Sequence, residues 1–168
     1  EKVRSDSVVV VSKTDEKIYV LPTKREAFER TLRKIRERSL KSKILVFSGS
    51  SVSSHNIVYD VLRDEHIRFG QVTGTPDSVK NMVKHFAAPS KGHRWDLNCV
   101  FLTPKFFGAG VNLESATDVI LYDNLPTEQT LQVIGRAQRP GRKEPLHIWR
   151  LACKNEMSKL ANIDRIIR

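Results

Sequence analysis

Lys43-Ile44-Leu45-Val46-Phe47-Ser48-Gly49-Ser50-Ser51 is the stretch whose reading decides the fold. Its four consecutive apolar residues, 44–47, show no alternation, which is the pattern of a short strand covered on both faces. A serine- and glycine-rich turn ends the run. Helical spacing follows at once, with Ile57, Val58, Val61 and Leu62 on one face. The same rhythm recurs downstream. Strand-like segments at Arg68–Thr73, Asn98–Thr103, Asp118–Tyr122 and Leu146–Leu151 alternate with helical ones. One helix opens at Gly74-Thr75-Pro76 and carries Val79, Met82, Val83 and Phe86. A second runs from Pro126-Thr127 to about Arg139 and stops at Pro140-Gly141, and a third begins near Asn155. Connections long enough for crossovers predict an α/β fold, a single domain built on a parallel sheet with helices on both faces. In such sheets ligands bind beyond the carboxyl ends of the strands.

Upstream, Ser7–Ser12 and Lys17–Leu21 read as two short strands around a polar turn. They suit a hairpin leading into the domain, or the first belongs to a preceding segment. Residues 1–22 are therefore set apart as a lead-in and 23–168 as the main lobe. Thr23 caps a helix with Phe28, Leu32 and Ile35 on one side, and Arg30, Arg33, Lys34, Arg36 and Arg38 read as its solvated face. A chain of 168 residues with 39% hydrophobic content is long enough for one real core. No run approaches the ~18 apolar residues of a membrane span, so no membrane partner is expected. Cys99 and Cys153 build neither a disulfide framework nor a zinc site, and predict reduced thiols in an intracellular protein. A chain that begins at Glu1 rather than Met reads as a piece of a longer polypeptide. The net charge of +10 is placed unevenly: residues 1–43 and 133–168 each carry +6, and 44–132 carry −2. Such asymmetry suits a phosphate-rich partner, although a solvated basic surface also accounts for it.

Three strand ends carry residues suited to phosphate chemistry. After the 98–103 strand, Gly108-Ala109-Gly110-Val111-Asn112-Leu113 offers two glycines for close backbone approach and an amide that donates and accepts. No third glycine completes a dinucleotide fingerprint, so a dinucleotide-binding enzyme is a distant reading. Gln132, Gly135, Arg136 and Arg139 stand at helical offsets 0, 3, 4 and 7, which predicts one shared face with a gap at the glycine. Paired guanidiniums suit a polyphosphate, whereas arginines near a helix C-terminus also favour the macrodipole in plain solvent. The Ser48-Gly49-Ser50-Ser51 turn suits a nucleic-acid phosphate or, as readily, a helix cap. A phosphate-cradling Gly-x-x-x-x-Gly-Lys loop is missing, since no glycine precedes a lysine. Asp64-Glu65-His66 has the wrong spacing for a magnesium-holding acidic box and reads as an exposed helix end. No metal ligands are therefore assigned.

These residues resemble a known family. Val100–Thr103, Gly108–Leu113 and Asp118–Asp123 look like motif V of superfamily 2 helicases with its following strand. Gln132–Arg142 resembles motif VI, Lys43–Ser48 looks like motif IV, and order and spacing agree from about residue 24 to 157. The wording, including His147–Leu151, is most similar to the Swi/Snf-type duplex DNA translocases. The resemblance implies the second, C-terminal RecA-like lobe of a two-lobed motor. An absent N-terminal lobe would hold most of the ATP and Mg²⁺, and this lobe would supply Arg136 and Arg139 as arginine fingers. Gln132, Gly135, Gly108, Gly110 and Asn112 would then serve ATP and its coupling. Ser48, Gly49, Ser50, Thr103 and Lys105 would touch nucleic acid, duplex DNA or RNA. A nuclear location follows if the source is eukaryotic, and the isolated chain should be inactive. Phe106 and Phe107 depart from the small residues usual in that loop, and the 74–86 segment is shorter than in remodellers. The alternative is a non-catalytic, degenerate helicase lobe kept for binding nucleic acid or protein.

Overall fold

Ile44–Phe47 forms a strand (β3) whose four residues are all buried. The computed structural model describes residues 8–12, 18–49, 52–72, 74–93, 95–103, 111–138 and 140–153. Cys99–Leu102 (β5) and Asp118–Leu121 (β6) flank β3 and run parallel to it. Ile44 stands opposite Cys99 and Asp118, and Phe47 opposite Leu102 and Leu121. Phe69–Gln71 (β4) pairs with β5 and His147–Cys153 (β7) with β6, again in parallel. Val8–Ser12 (β1) and Ile18–Leu21 (β2) pair antiparallel, and β1 also runs antiparallel to β7. The sheet order is β2-β1-β7-β6-β3-β5-β4. The first two strands thus continue the same sheet, with Val8 and Val10 in its core. β7 runs two residues past the expected Leu151 because Ala152 and Cys153 find partners in Val9 and Val8.

Alternation along the strands sorts the core into two faces. Ile44 and Val46 pack with Phe28, Leu32 and Ile35 of Lys24–Arg38 (α1) and with Val58, Val61 and Leu62 of Val52–Asp64 (α2). Leu45 and Phe47 pack on the other side with Phe86 of Pro76–Ala87 (α3) and Val133, Ile134 and Ala137 of Thr127–Ala137 (α4). The expected α/β sheet with helices on both faces is therefore present. The expected cap at Thr23 is in place, and the structure adds a second at Thr75. Thr23 accepts the Glu26 N–H at 3.2 Å, and Thr75 accepts the Ser78 N–H at 3.2 Å with Pro76 opening α3. The helix expected after Asn155 lies outside the described residues.

Two expectations need correction. The helix predicted to reach Arg139 ends at Ala137, and Gln138 is already extended at φ −76°, ψ 144°. Pro140, two residues beyond the cap, cannot continue a helix. The basic face of α1 is also more than a solvated surface. Arg25 and Arg33 pair with Asp64 and Glu65 at the end of α2, and Arg30 lies 4.9 Å over the Tyr19 ring. Arg38 reaches Asp118, whose side chain is fully buried and also accepts from Thr117 Oγ1 (2.7 Å) and Trp149 Nε1 (3.0 Å).

Removing the cation from such a pair strands a buried carboxylate, a change that costs about 3–5 kcal/mol when the pair is fully enclosed. Arg38 is partly exposed, so Arg38→Met should cost about 3 kcal/mol in urea unfolding, with an unchanged m-value. Adding Asp118→Asn should restore much of that loss by removing the stranded charge.

Candidate nucleotide and nucleic-acid site

The carboxyl ends of β3, β5 and β6 lie side by side, and Ser48 and Asp123, which follow β3 and β6, meet there. The β3 ladder continues past the strand, with Ser48 N–H donating to Leu102 O (3.2 Å) and Tyr122 N–H to Phe47 O (2.8 Å). Asp123, just beyond β6, then fixes the β3 turn. Its carboxylate accepts from the Ser48 hydroxyl (2.8 Å), the Gly49 N–H (2.6 Å) and Lys24 Nζ (3.1 Å). A Cβ on Gly49 would stand 3.3 Å from Asp123 Oδ2, so the glycine permits this close approach. His55 Nε2 donates to the Gly49 carbonyl at 2.5 Å, since a carbonyl can only accept.

This latch changes the role of one expected contact residue. Ser48 is fully buried with its hydroxyl on Asp123, so it shapes the turn and does not reach outward. Gly49 is half-buried and Thr103 is half-buried at the end of β5. Ser50, Lys105, Gly108, Gly110 and Arg139 lie outside the described residues, as do Phe106 and Phe107.

On α4, Gln132 and Arg136 line one shallow depression together with Phe47, Leu102, Val111, Leu113 and Val133. The helix thus brings its polar face to the ends of β3 and β5. Gln132 and Gly135 are exposed and Arg136 is half-buried. Among the described residues, nothing stands within 4 Å of where a Cβ on Gly135 would lie. Leu113 N–H donates to Arg136 O at 3.0 Å, joining the 111–113 segment to α4 through the backbone. Asn112 is exposed, and its Oδ1 accepts the Glu114 N–H at 3.0 Å to form the turn.

Two residues that hold this arrangement were not singled out from sequence. Asp123 is one, and its only sequence signal is an acid directly after a buried strand. Arg142 is the other. Its guanidinium donates to the carbonyls of Ala137 (3.2 Å), Glu114 (3.2 Å), Ala116 and Glu144 (2.9 Å). It therefore caps α4 and ties its end to the turn that enters β6. A basic residue just past a helix end was the available clue.

The chain presents guanidinium and amide donors at strand ends and, among the described residues, no group of acids, histidines and cysteines able to hold a metal. Such a lobe is a RecA-like sheet with an arginine-bearing helix, α4, at its strand ends. It belongs to the helicase conserved C-terminal domain family, whose model matches residues 23–141, and is a superfamily 2 C-terminal lobe of Swi/Snf type. A protein of Acanthamoeba polyphaga mimivirus named as a helicase is 32% identical over 133 residues, 79% of this chain and 15% of that protein. The ISWI chromatin-remodeling complex ATPase of Saccharomyces cerevisiae is 30% identical over 155 residues, 87% of this chain and 13% of that protein. The chain thus spans a small part of such relatives. The C-terminal part of the Fun30 ATPase domain shares the fold, with TM-score 0.62 and 23% identity over 74% of this chain and 39% of that one.

Burial raises the Asp123 pKa, but the Gly49 N–H, the Ser48 hydroxyl and Lys24 outweigh it and hold the carboxyl below its ordinary 3.8. A carboxyl depressed on folding adds stability above its unfolded pKa, and this is lost as pH falls through the folded value. Asp123→Asn should therefore lower Tm at pH 7, and the gap to wild type should close as pH drops below 3.8. For Arg142→Ala, loss of the forked contacts should cost about 1–3 kcal/mol in urea unfolding. Arg142→Lys should recover only part, because an ammonium cannot reproduce the fork.

Proposed function

We propose that this chain is the second motor lobe of a nucleic-acid-dependent ATPase, a translocase that moves along duplex DNA. The observation that carries the reading is the polar face of α4. Glycine inside a helix costs about 0.5–1 kcal/mol relative to alanine, and no described neighbour requires one at 135. The open position beside Gln132 and Arg136 fits an anionic ligand brought by another lobe. Bound ATP supplies the phosphoryl group that is transferred to water. The Arg136 and Arg139 guanidiniums set positive charge against the transferring phosphate, an effect worth on the order of 10³–10⁵ in rate for arginine fingers. Gln132 orients the same ligand by hydrogen bonding. Without a phosphate-cradling loop, the isolated chain turns over no ATP.

On the nucleic-acid side, the Gly49–Ser50 turn, Thr103 and Lys105 are assigned to the sugar-phosphate backbone, with Ser48 and Asp123 fixing the turn from behind. Gly108, Gly110 and Asn112 couple that contact to the nucleotide. Backbone contacts carry no base information, so binding is sequence-tolerant and salt-sensitive. The chromatin-remodeling name of the yeast relative supports duplex DNA as the track and the nucleus as the setting.

The test is ATP hydrolysis by the parent polypeptide with and without duplex DNA, comparing wild type with Arg136→Ala and Arg139→Ala. DNA stimulation in wild type and a kcat loss of about 10³ or more with KM little changed is expected for each variant. Unchanged turnover in both would remove the finger assignment and favour a binding lobe.

A further inference from the structure

The chain has two tryptophans, and the fold treats them in opposite ways. Trp149 is in the core, whereas Trp95 is 62% exposed, the most exposed large apolar side chain among the described residues. Its ring lies parallel to the His93 imidazole, with centroids 4.5 Å apart and 9° between planes. The turn beneath this pair is built. The Asp96 carboxylate accepts from the N–H groups of Lys91 (2.9 Å) and His93 (3.0 Å) and from the Ser90 hydroxyl (3.2 Å). Asn98 Nδ2 ties Ser90 Oγ (3.1 Å) and Leu40 O (3.3 Å), and Arg68 donates to Trp95 O at 2.8 Å. The rings are thus held out from a fixed support.

The surroundings are cationic. Arg68 and Lys91 are exposed beside the stack, and Lys41 is exposed on the turn that holds Leu40. Asp96, the one acid between Ala88 and Asn98, has its carboxylate occupied by three donors. This turn enters β5, so it lies at the edge of the sheet away from Gly49 and Thr103, across a strand about 13 Å long.

We propose that the Trp95–His93 pair is a stacking platform for an unpaired base of single-stranded nucleic acid, with Arg68 and Lys91 on the adjoining phosphates. A flat ring pair flanked by cations accepts another planar ring. A peptide would need a groove or a strand edge, and the neighbouring edge strand, β4, has only three residues. Bases within a duplex are closed to such stacking, so the platform discriminates between strand states where Gly49 and Thr103 do not. The inference stands whether or not Arg136 and Arg139 act on ATP.

The 168-residue chain itself provides the test, because iodide quenches the fluorescence of Trp95 and not of buried Trp149. Titration with oligo-dT and oligo-rU should shield Trp95 from iodide, and a blunt duplex of equal length should not. Trp95→Ala should weaken single-strand binding by about 5- to 150-fold, the worth of one stacked base, and leave duplex binding unchanged. Trp95→Phe should retain most of the affinity, and circular dichroism of both variants should match wild type. Equal losses for single strand and duplex, or no loss in Trp95→Ala, would overturn the platform. Shielding by an acidic peptide such as oligo-Glu and not by oligo-dT would reassign it as a protein-binding surface.

Discussion

A four-residue strand hydrogen-bonded along both edges and buried on both faces has almost no freedom, and β3 is placed that way. Once Ile44 is opposite Cys99 and Asp118, the register carries Ser48 to the end of β5 and Phe47 to Leu121. A slip of one residue would exchange the two faces of the core, so packing against α1 and α2 on one side and α4 on the other specifies that register strongly. The candidate site inherits this precision. Ser48 and Tyr122, the first residues after β3 and β6, are still part of the ladder.

Strand β6 extends this control to both ends of the sheet. At its start, Asp118 gathers Arg38, Thr117 and Trp149, so α1 and β7 are joined to the sheet through one buried carboxylate. Just beyond its end, Asp123 gathers Lys24, Ser48 and Gly49. Helix α1 therefore touches β6 through its first residue and its last. Arg142 performs a comparable task on the opposite face, where one guanidinium satisfies carbonyls from α4 and from the turn before β6. Charge-assisted hydrogen bonds to fixed partners suit this use, because their geometry is directional where apolar packing is not.

The α/β alternation, the Thr23 cap and the buried central strand were all legible from apolar spacing and turn residues. The same was true of the helicase lobe, because motifs V and VI keep their order and spacing. Long-range pairing was less legible. Nothing local marks Val8–Ser12 as a partner of β7 rather than of an earlier segment, since that choice depends on an edge 140 residues away. Arg38 looked like its solvated neighbours because its partner, Asp118, is 80 residues on. Ser48 looked like an exposed contact for the same reason: whether a hydroxyl turns outward depends on what stands beside it, here Asp123. Helical periodicity likewise ran about two residues past the end of α4 at Ala137, which the nearby Pro140 decided.

The glycine at 135 has a consequence for the lobe considered alone. A helix that holds glycine where its described surroundings do not demand one is less stable than alanine would make it. Selection for a more robust isolated domain would replace that glycine with alanine. Under the proposed two-lobed function, a position left open to the nucleotide would keep it. On that proposal, a small part of the lobe's own stability is given up for complementarity to the ligand.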